Sequence, residues 1–158
     1  MQQLVCEIAK KAIEKKVMIA TAESCTGGWI AQEITAVAGS SEWFDCGFVT
    51  YSNQSKHEML GVSEHTLAQY GAVSEEVVIE MAEGVLLNSS AQLSVVTSGI
   101  AGPGGGSAEK PVGTVWFAWA VHDKPTRTAV FQFNGDRESV RKQAVRVALE
   151  GILQNLAI

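Results

Sequence analysis

In the stretch TAESCTGGWIAQEI, Ser24, Cys25, Thr26, Gly27 and Gly28 stand between an apolar run and an amphipathic pattern. Such a strand-to-helix junction can hold a nucleophile, grip an anion or simply turn the chain. The first two uses have a physical basis. The leading N–H groups of a helix lack intrahelical partners and stabilise an oxyanion or phosphate placed against them. Ser24 would stand beside these donors, with Thr26, Gly27 and Gly28 as candidate binding positions. Cys25 is the rival nucleophile. A thiolate normally needs a cationic or imidazole neighbour, and a free cysteine is often just buried, so Ser24 is placed ahead.

A serine needs a base. The three histidines are His57, His65 and His122. His65 follows Ser63 and Glu64 at a helix start and His122 precedes Asp123 in a turn, which makes both surface residues. His57, next to Lys56, keeps a candidacy, but no acid is arranged for any of them and a Ser-His-Asp triad has little support. Lysine replaces histidine when burial lowers its pKa and leaves a neutral amine. Lys56, just past a strand ending near Tyr51, is the candidate, and a solvated helix lysine is the competing reading.

The segment GIAGPGGG holds five glycines in eight residues, so its backbone can approach a ligand closely. Ser98, Gly99 and Gly102 are its candidate contacts, and a flexible lid or plain connection is the alternative. Arg137 and Arg141 are four apart on one helix face, where they could clamp a phosphate or remain surface charge. Neither glycine loop is a nucleotide fingerprint: the first lacks GxGxxG, and GPGGGSAEK lacks the Gly-Lys-Ser/Thr ending of a P-loop. No His/Cys/Asp/Glu cluster has metal-ligand spacing. Trp116 and Trp119 lie in a buried-looking strand and read as core or interface.

The elements that must position these groups follow from periodicity. Leu4, Val5, Ile8, Ala9, Ala12 and Ile13 recur at helical spacing, and residues 17–22 form an apolar run of strand length. Thr26 is expected to cap a helix carrying Trp29, Ile30, Ile34 and Val37, with Gly39 as its stop. A strand is expected over 46–52, then helices over 54–60 and 63–70 separated by Gly61. Ser74 caps a further helix with Val77, Val78, Met81 and Val85 on one face. Strand, Gly/Pro-rich loop, strand and a hairpin through HDKP follow, and a last helix starts near Asp136 with Val140, Ala144, Val147, Ala148, Ile152 and Leu156 on a face. Interleaved helices and strands with one late hairpin imply a single three-layer α/β/α domain over 1–158 with a mixed sheet. Ligands gather beyond the carboxyl ends of strands in such sheets, where ESCTGG, TYSNQSK and SGIAGPGGGS all fall.

At 158 residues, 18% charged, 46% hydrophobic and with a net charge of −5, the composition is that of a globular protein with a sizeable core, and the acidic balance argues against nonspecific nucleic-acid binding. Three cysteines without CxxC spacing suggest neither a disulfide framework nor a zinc ribbon. No apolar run reaches the roughly 20 residues a membrane span needs, and the N-terminus has no cleavage-site pattern, so a cytoplasmic protein is expected.

Together the blocks TAESCTGGWIAQEIT, GSSEWFDCGFVTYSNQSKHEMLGV, GAVSEEVVIEMAEGV, SGIAGPGGGSAEKPVGTVWFAW and GDRESVRKQA resemble the nicotinamide-nucleotide amidase family, also called the CinA C-terminal domain family, nearly end to end. The resemblance implies hydrolysis of the carboxamide of nicotinamide mononucleotide to nicotinate mononucleotide and ammonia in pyridine nucleotide salvage, without metal or cofactor. It implies Ser24 as nucleophile, Lys56 as general base and Tyr51 as its helper, and a homodimer or larger assembly. Where relatives often read GPDGG, Gly104 occupies the acidic position. The family also occurs fused behind a larger nucleotide-hydrolysing domain, for which this chain is too short, so the stand-alone form is expected. The alternatives are a catalytically silent nucleotide-binding module and a serine amidase or peptidase for another amide.

Overall fold

A computed structural model describes all 158 residues. The order is α1 (Gln2–Lys15), β1 (Ile19–Glu23), α2 (Trp29–Thr35), a 3-10 turn (Ser40–Glu42), β2 (Phe44–Val49), α3 (Asn53–Leu60), α4 (Glu64–Tyr70), α5 (Glu75–Leu87), β3 (Leu93–Gly99), β4 (Thr114–Val121), β5 (Arg127–Gln132) and α6 (Arg137–Ala157). The five strands form one sheet in the order β2-β1-β3-β4-β5. β1 runs parallel to β2 and β3, and β3-β4-β5 are antiparallel.

Alternation along the strands builds the two faces. Ile19, Leu93, Val95, Val115, Phe117 and Trp119 point into one core with Val5 and Ile8 of α1, Ile30 and Ile34 of α2, and Val140, Ala144 and Leu149 of α6. Ala20, Ala22, Val96, Ala118 and Ala120 face the other, under Val77, Met81 and Val85 of α5 and Leu60 and Leu67 of α3 and α4. This is the expected mixed α/β/α sandwich. Every residue of β1 is buried, as a strand covered on both faces must be. No helix is long and apolar enough to cross a membrane.

Local chemistry sets the element ends. Ser52 and Ser55 form a reciprocal capping box on α3, Gly61 ends that helix in the left-handed region, and Ser63, Ser74 and Asp136 each accept an N–H bond at the start of α4, α5 and α6. Ile13, expected on the buried face of α1, is 47% exposed. The cap of α2 also differs from expectation. Gly28, at φ 103°, occupies the cap position, and the Thr26 hydroxyl instead donates to Glu23. Gly39 opens the 3-10 turn after α2 has already ended at Thr35.

Because β1 connects to β2 on one side and lies beside β3 on the other, the carboxyl ends of three parallel strands converge where the strand order reverses. Two backbone bonds lock the convergence: Ser24 N–H to Thr97 O at 3.0 Å, and Thr50 N–H to Glu23 O at 3.0 Å.

Candidate active site

Ser24 follows β1, Lys56 lies on α3 beyond β2, and Ser98 and Gly99 end β3. A cavity of about 280 Å³ opens among them, near the lower end of the roughly 300–1,000 Å³ usual for small-molecule sites. The strand ends thus bring together residues from widely separated parts of the sequence.

Lys56 is 1% exposed and Ser24 8%. The Lys56 Nζ lies 3.3 Å from Ser24 Oγ, 2.9 Å from the Thr50 carbonyl oxygen and 3.5 Å from that of Tyr51. As an ammonium it can donate to all three; as a neutral amine it can accept the Ser24 proton. No carboxylate compensates it, since the molecule's close charge pairs are His57–Glu64 and Arg146–Glu150. Burial therefore lowers its pKa from the ordinary lysine value, opposed by the smaller influence of Cys25. The solvated-lysine reading does not fit this position.

Cys25 is pushed the other way. Burial raises its thiol to about 11, well above the range of a reactive thiolate, despite the nearby guanidinium groups of Arg141 and Arg137. His57 turns from the site, its Nδ1 2.7 Å from the Val62 carbonyl oxygen, and faces a separate depression with Gln54, Glu64 and Leu67. His65 and His122 are exposed.

The remaining candidates divide. Ser98, Gly99, Gly102, Tyr51 and Arg137 line the cavity, as does Gly104. The Ser98 hydroxyl donates to the Ala72 carbonyl at 2.9 Å. Arg137 donates from Nη1 to the Gly102 carbonyl at 2.8 Å and from Nη2 to the Tyr51 hydroxyl at 3.1 Å. Tyr51 therefore meets Lys56 through its carbonyl, while its phenol belongs to Arg137. Gly102 needs to be glycine: φ is 83°, and a Cβ would collide with Val112. Thr26, Gly27, Gly28 and Arg141 lie outside the cavity lining. Arg141 donates to the carbonyls of Cys25 and Thr26 at 3.0 and 3.2 Å, so it braces the turn from behind instead of pairing with Arg137 over a ligand.

Sequence reasoning missed Glu23. Its carboxylate, 1% exposed, accepts from the Thr26 hydroxyl at 2.7 Å and from the N–H groups of Ile30 and Ala31 at 2.8 and 3.1 Å. It caps α2 from the preceding strand and fixes the turn that carries Ser24. The signal was available: an acid ending a largely apolar run, beside a helix start, needs donors such as the helix-end N–H groups to be satisfied when buried. Within the turn, the Gly27 N–H bonds Ser24 O at 3.0 Å, whereas the N–H groups of Cys25, Thr26 and Gly28 have no protein acceptor.

Fold and site define an α/β protein with a buried serine–lysine pair at the carboxyl edge of its parallel strands. Its family is explicit: the chain belongs to the CinA C-terminal domain family, whose model matches residues 1–156. It is 59% identical over 154 residues to a protein of Enterobacter agglomerans named nicotinamide-nucleotide amidohydrolase PncC, covering 98% of this chain and 94% of that one. It is 53% identical to the protein of the same name in Escherichia coli K12, over 98% of this chain and 93% of the relative. Among solved structures, the competence/damage inducible protein CihA of Agrobacterium tumefaciens superposes with a TM-score of 0.95 at 44% identity, covering 99% of this chain and 95% of that one.

Proposed function

We propose that this chain hydrolyses the carboxamide of nicotinamide mononucleotide to nicotinate mononucleotide and ammonia, a reaction of pyridine nucleotide salvage, with Ser24 as nucleophile and Lys56 as general base. The observation that carries the chemistry is the buried, uncompensated Lys56 amine 3.3 Å from Ser24 Oγ at the floor of a small-molecule cavity. The class, amide hydrolysis, and the substrate are supported by the names of relatives 53–59% identical over nearly the whole chain.

Neutral Lys56 takes the Ser24 proton as Oγ attacks the amide carbon, giving a tetrahedral intermediate whose oxyanion is held by the unpaired N–H of Cys25, the member of the 25–28 turn that lines the cavity. The C–N bond then breaks, with the Lys56 ammonium returning its proton to the leaving nitrogen as ammonia departs. Water attacks the resulting Ser24 ester, again giving its proton to Lys56, and collapse releases the carboxylic acid product and restores Ser24. Arg137 spends two of its five N–H donors on Gly102 and Tyr51 and keeps the others for the substrate phosphate. A homodimer or larger homo-oligomer is the assembly proposed with this reading.

The test is to offer the purified protein nicotinamide mononucleotide and nicotinamide riboside and to measure ammonia together with the acid product. Equimolar ammonia and nicotinate mononucleotide, with the riboside a far poorer substrate, is expected. No ammonia from the mononucleotide would overturn the proposed substrate.

A further inference from the structure

We infer that Arg141 is a positioning residue for the oxyanion-binding turn and not a ligand for the substrate phosphate; the inference rests on the reading of Ser24 as nucleophile. Its guanidinium donates from Nε to the Cys25 carbonyl and from Nη2 to the Thr26 carbonyl, a forked contact with two successive peptide groups. The fork is itself fixed. Its carbon sits 5.4 Å from the centroid of the Trp29 ring, and the Trp29 Nε1–H donates to Glu33 at 3.0 Å.

The consequence follows from peptide planarity. In a trans peptide the N–H points opposite the C=O, so holding the Cys25 and Thr26 carbonyls toward Arg141 turns the N–H groups of Thr26 and Gly27 to the far side. The Gly27 N–H is spent on Ser24 O. Thr26 itself is 0% exposed and outside the cavity lining, so its N–H meets no substrate; the bond from Gly27 instead holds the Ser24 carbonyl and so turns the N–H of Cys25, in the same peptide and in a residue that lines the cavity, to the other side, where it has no backbone acceptor. Buried N–H groups are almost always paired, so one left open directly after the nucleophile, in a cavity-lining residue, is a donor kept for a transient acceptor.

Glu23 secures the turn from the opposite side through the Thr26 hydroxyl and the first N–H groups of α2. Carboxylate and guanidinium together leave the 25–26 peptide little freedom to flip. The four-residue spacing of Arg137 and Arg141 thus serves two tasks, since only Arg137 lines the cavity. Lysine at position 141 supplies a point charge and cannot span both carbonyls.

The test compares wild type with Arg141→Ala and Arg141→Lys in ammonia release and in the labelling of Ser24 by a fluorophosphonate, whose adduct places an oxygen among the same donors. Arg141→Ala is expected to lose about 100-fold in kcat with KM changed less than about threefold, to keep its preference for mononucleotide over riboside, and to regain kcat on addition of guanidinium ions. Arg141→Lys is expected to fold and still lose at least about tenfold in kcat. Labelling should slow in parallel in both variants. A raised KM with near-normal kcat and a collapsed mononucleotide preference would overturn the inference in favour of a phosphate ligand. Full turnover by Arg141→Lys, or unchanged labelling rates, would also overturn it. Should wild type label at Ser24 but release no ammonia from the mononucleotide, the proposed substrate fails while the labelling rates still decide the role of Arg141.

Discussion

Lys56 works as a base only if the protein keeps it from holding its proton near neutral pH, against an ordinary lysine value of about 10.4. Its surroundings push in that direction by burial without a carboxylate: the acceptors around Nζ are two carbonyl oxygens and the Ser24 hydroxyl. Arginine at this position keeps the charge and cannot give up its proton, so Lys56→Arg should lose nearly as much turnover as Lys56→Ala, about 10²-fold or more at saturating substrate. The rate should rise with pH as Lys56 deprotonates, with an apparent pKa below the ordinary lysine value. Stability carries the same signature. Between the lowered folded pKa and about 10.4 the unfolded chain binds more protons at this residue, so the contribution of Lys56 to stability increases with pH across that window. A Lys56→Arg enzyme with near-normal turnover would reduce Lys56 to an electrostatic role. The pairing of Ser24 with Lys56 was expected from the sequence against Cys25 and His57 as rivals in the same loops, although the case for Lys56 needed the family resemblance. Its burial, which decides between base and surface charge, depends on strands that the local sequence does not reveal.

At the scale of elements, the turn between β1 and α2 is the part that most depends on contacts from elsewhere. Its existence was readable from an apolar run followed by Gly27 and Gly28, but its wiring was not. Thr26 looked like the cap because Ser and Thr usually cap locally. Here Glu23 reaches forward seven residues to Ile30 and eight to Ala31. Arg141 reaches back across 116 residues to Cys25, a separation no spacing rule detects. Glu23→Ala would strand two helix-end N–H groups and leave the Thr26 hydroxyl with Thr97 Oγ1 as its remaining partner, and a loss of about 3 kcal/mol in unfolding free energy is expected from urea denaturation. Glu23→Gln should recover part of the loss, since one amide oxygen remains to accept. A Glu23→Ala protein as stable as wild type would show that water or a rearranged turn satisfies these donors.

The whole molecule aims two arginines at one small region by seating α6 against the sheet. α6 packs so closely that Gly151 faces the Trp119 ring with no room for a Cβ, and the Trp119 Nε1–H donates to the Ala148 carbonyl at 3.0 Å. Glycine inside a helix usually costs about 1 kcal/mol relative to alanine. Gly151→Ala should nonetheless destabilise by about 1–3 kcal/mol, because the added methyl forces helix and sheet apart. Thermal unfolding is the check, and a rise in Tm would mean that propensity outweighs packing there. The sandwich itself was legible because apolar periodicity switches cleanly between strand and helix along the chain. The pairing order was not, since β1 takes partners on both sides from distant segments.

Turnover by Ser24→Ala tests the central claim most directly. With nicotinamide mononucleotide saturating and the fold verified by an unchanged unfolding transition, ammonia release should fall at least about a thousandfold, because the site then has a base and an oxyanion pocket but no nucleophile for the base to activate. Turnover within tenfold of wild type would contradict covalent catalysis by Ser24.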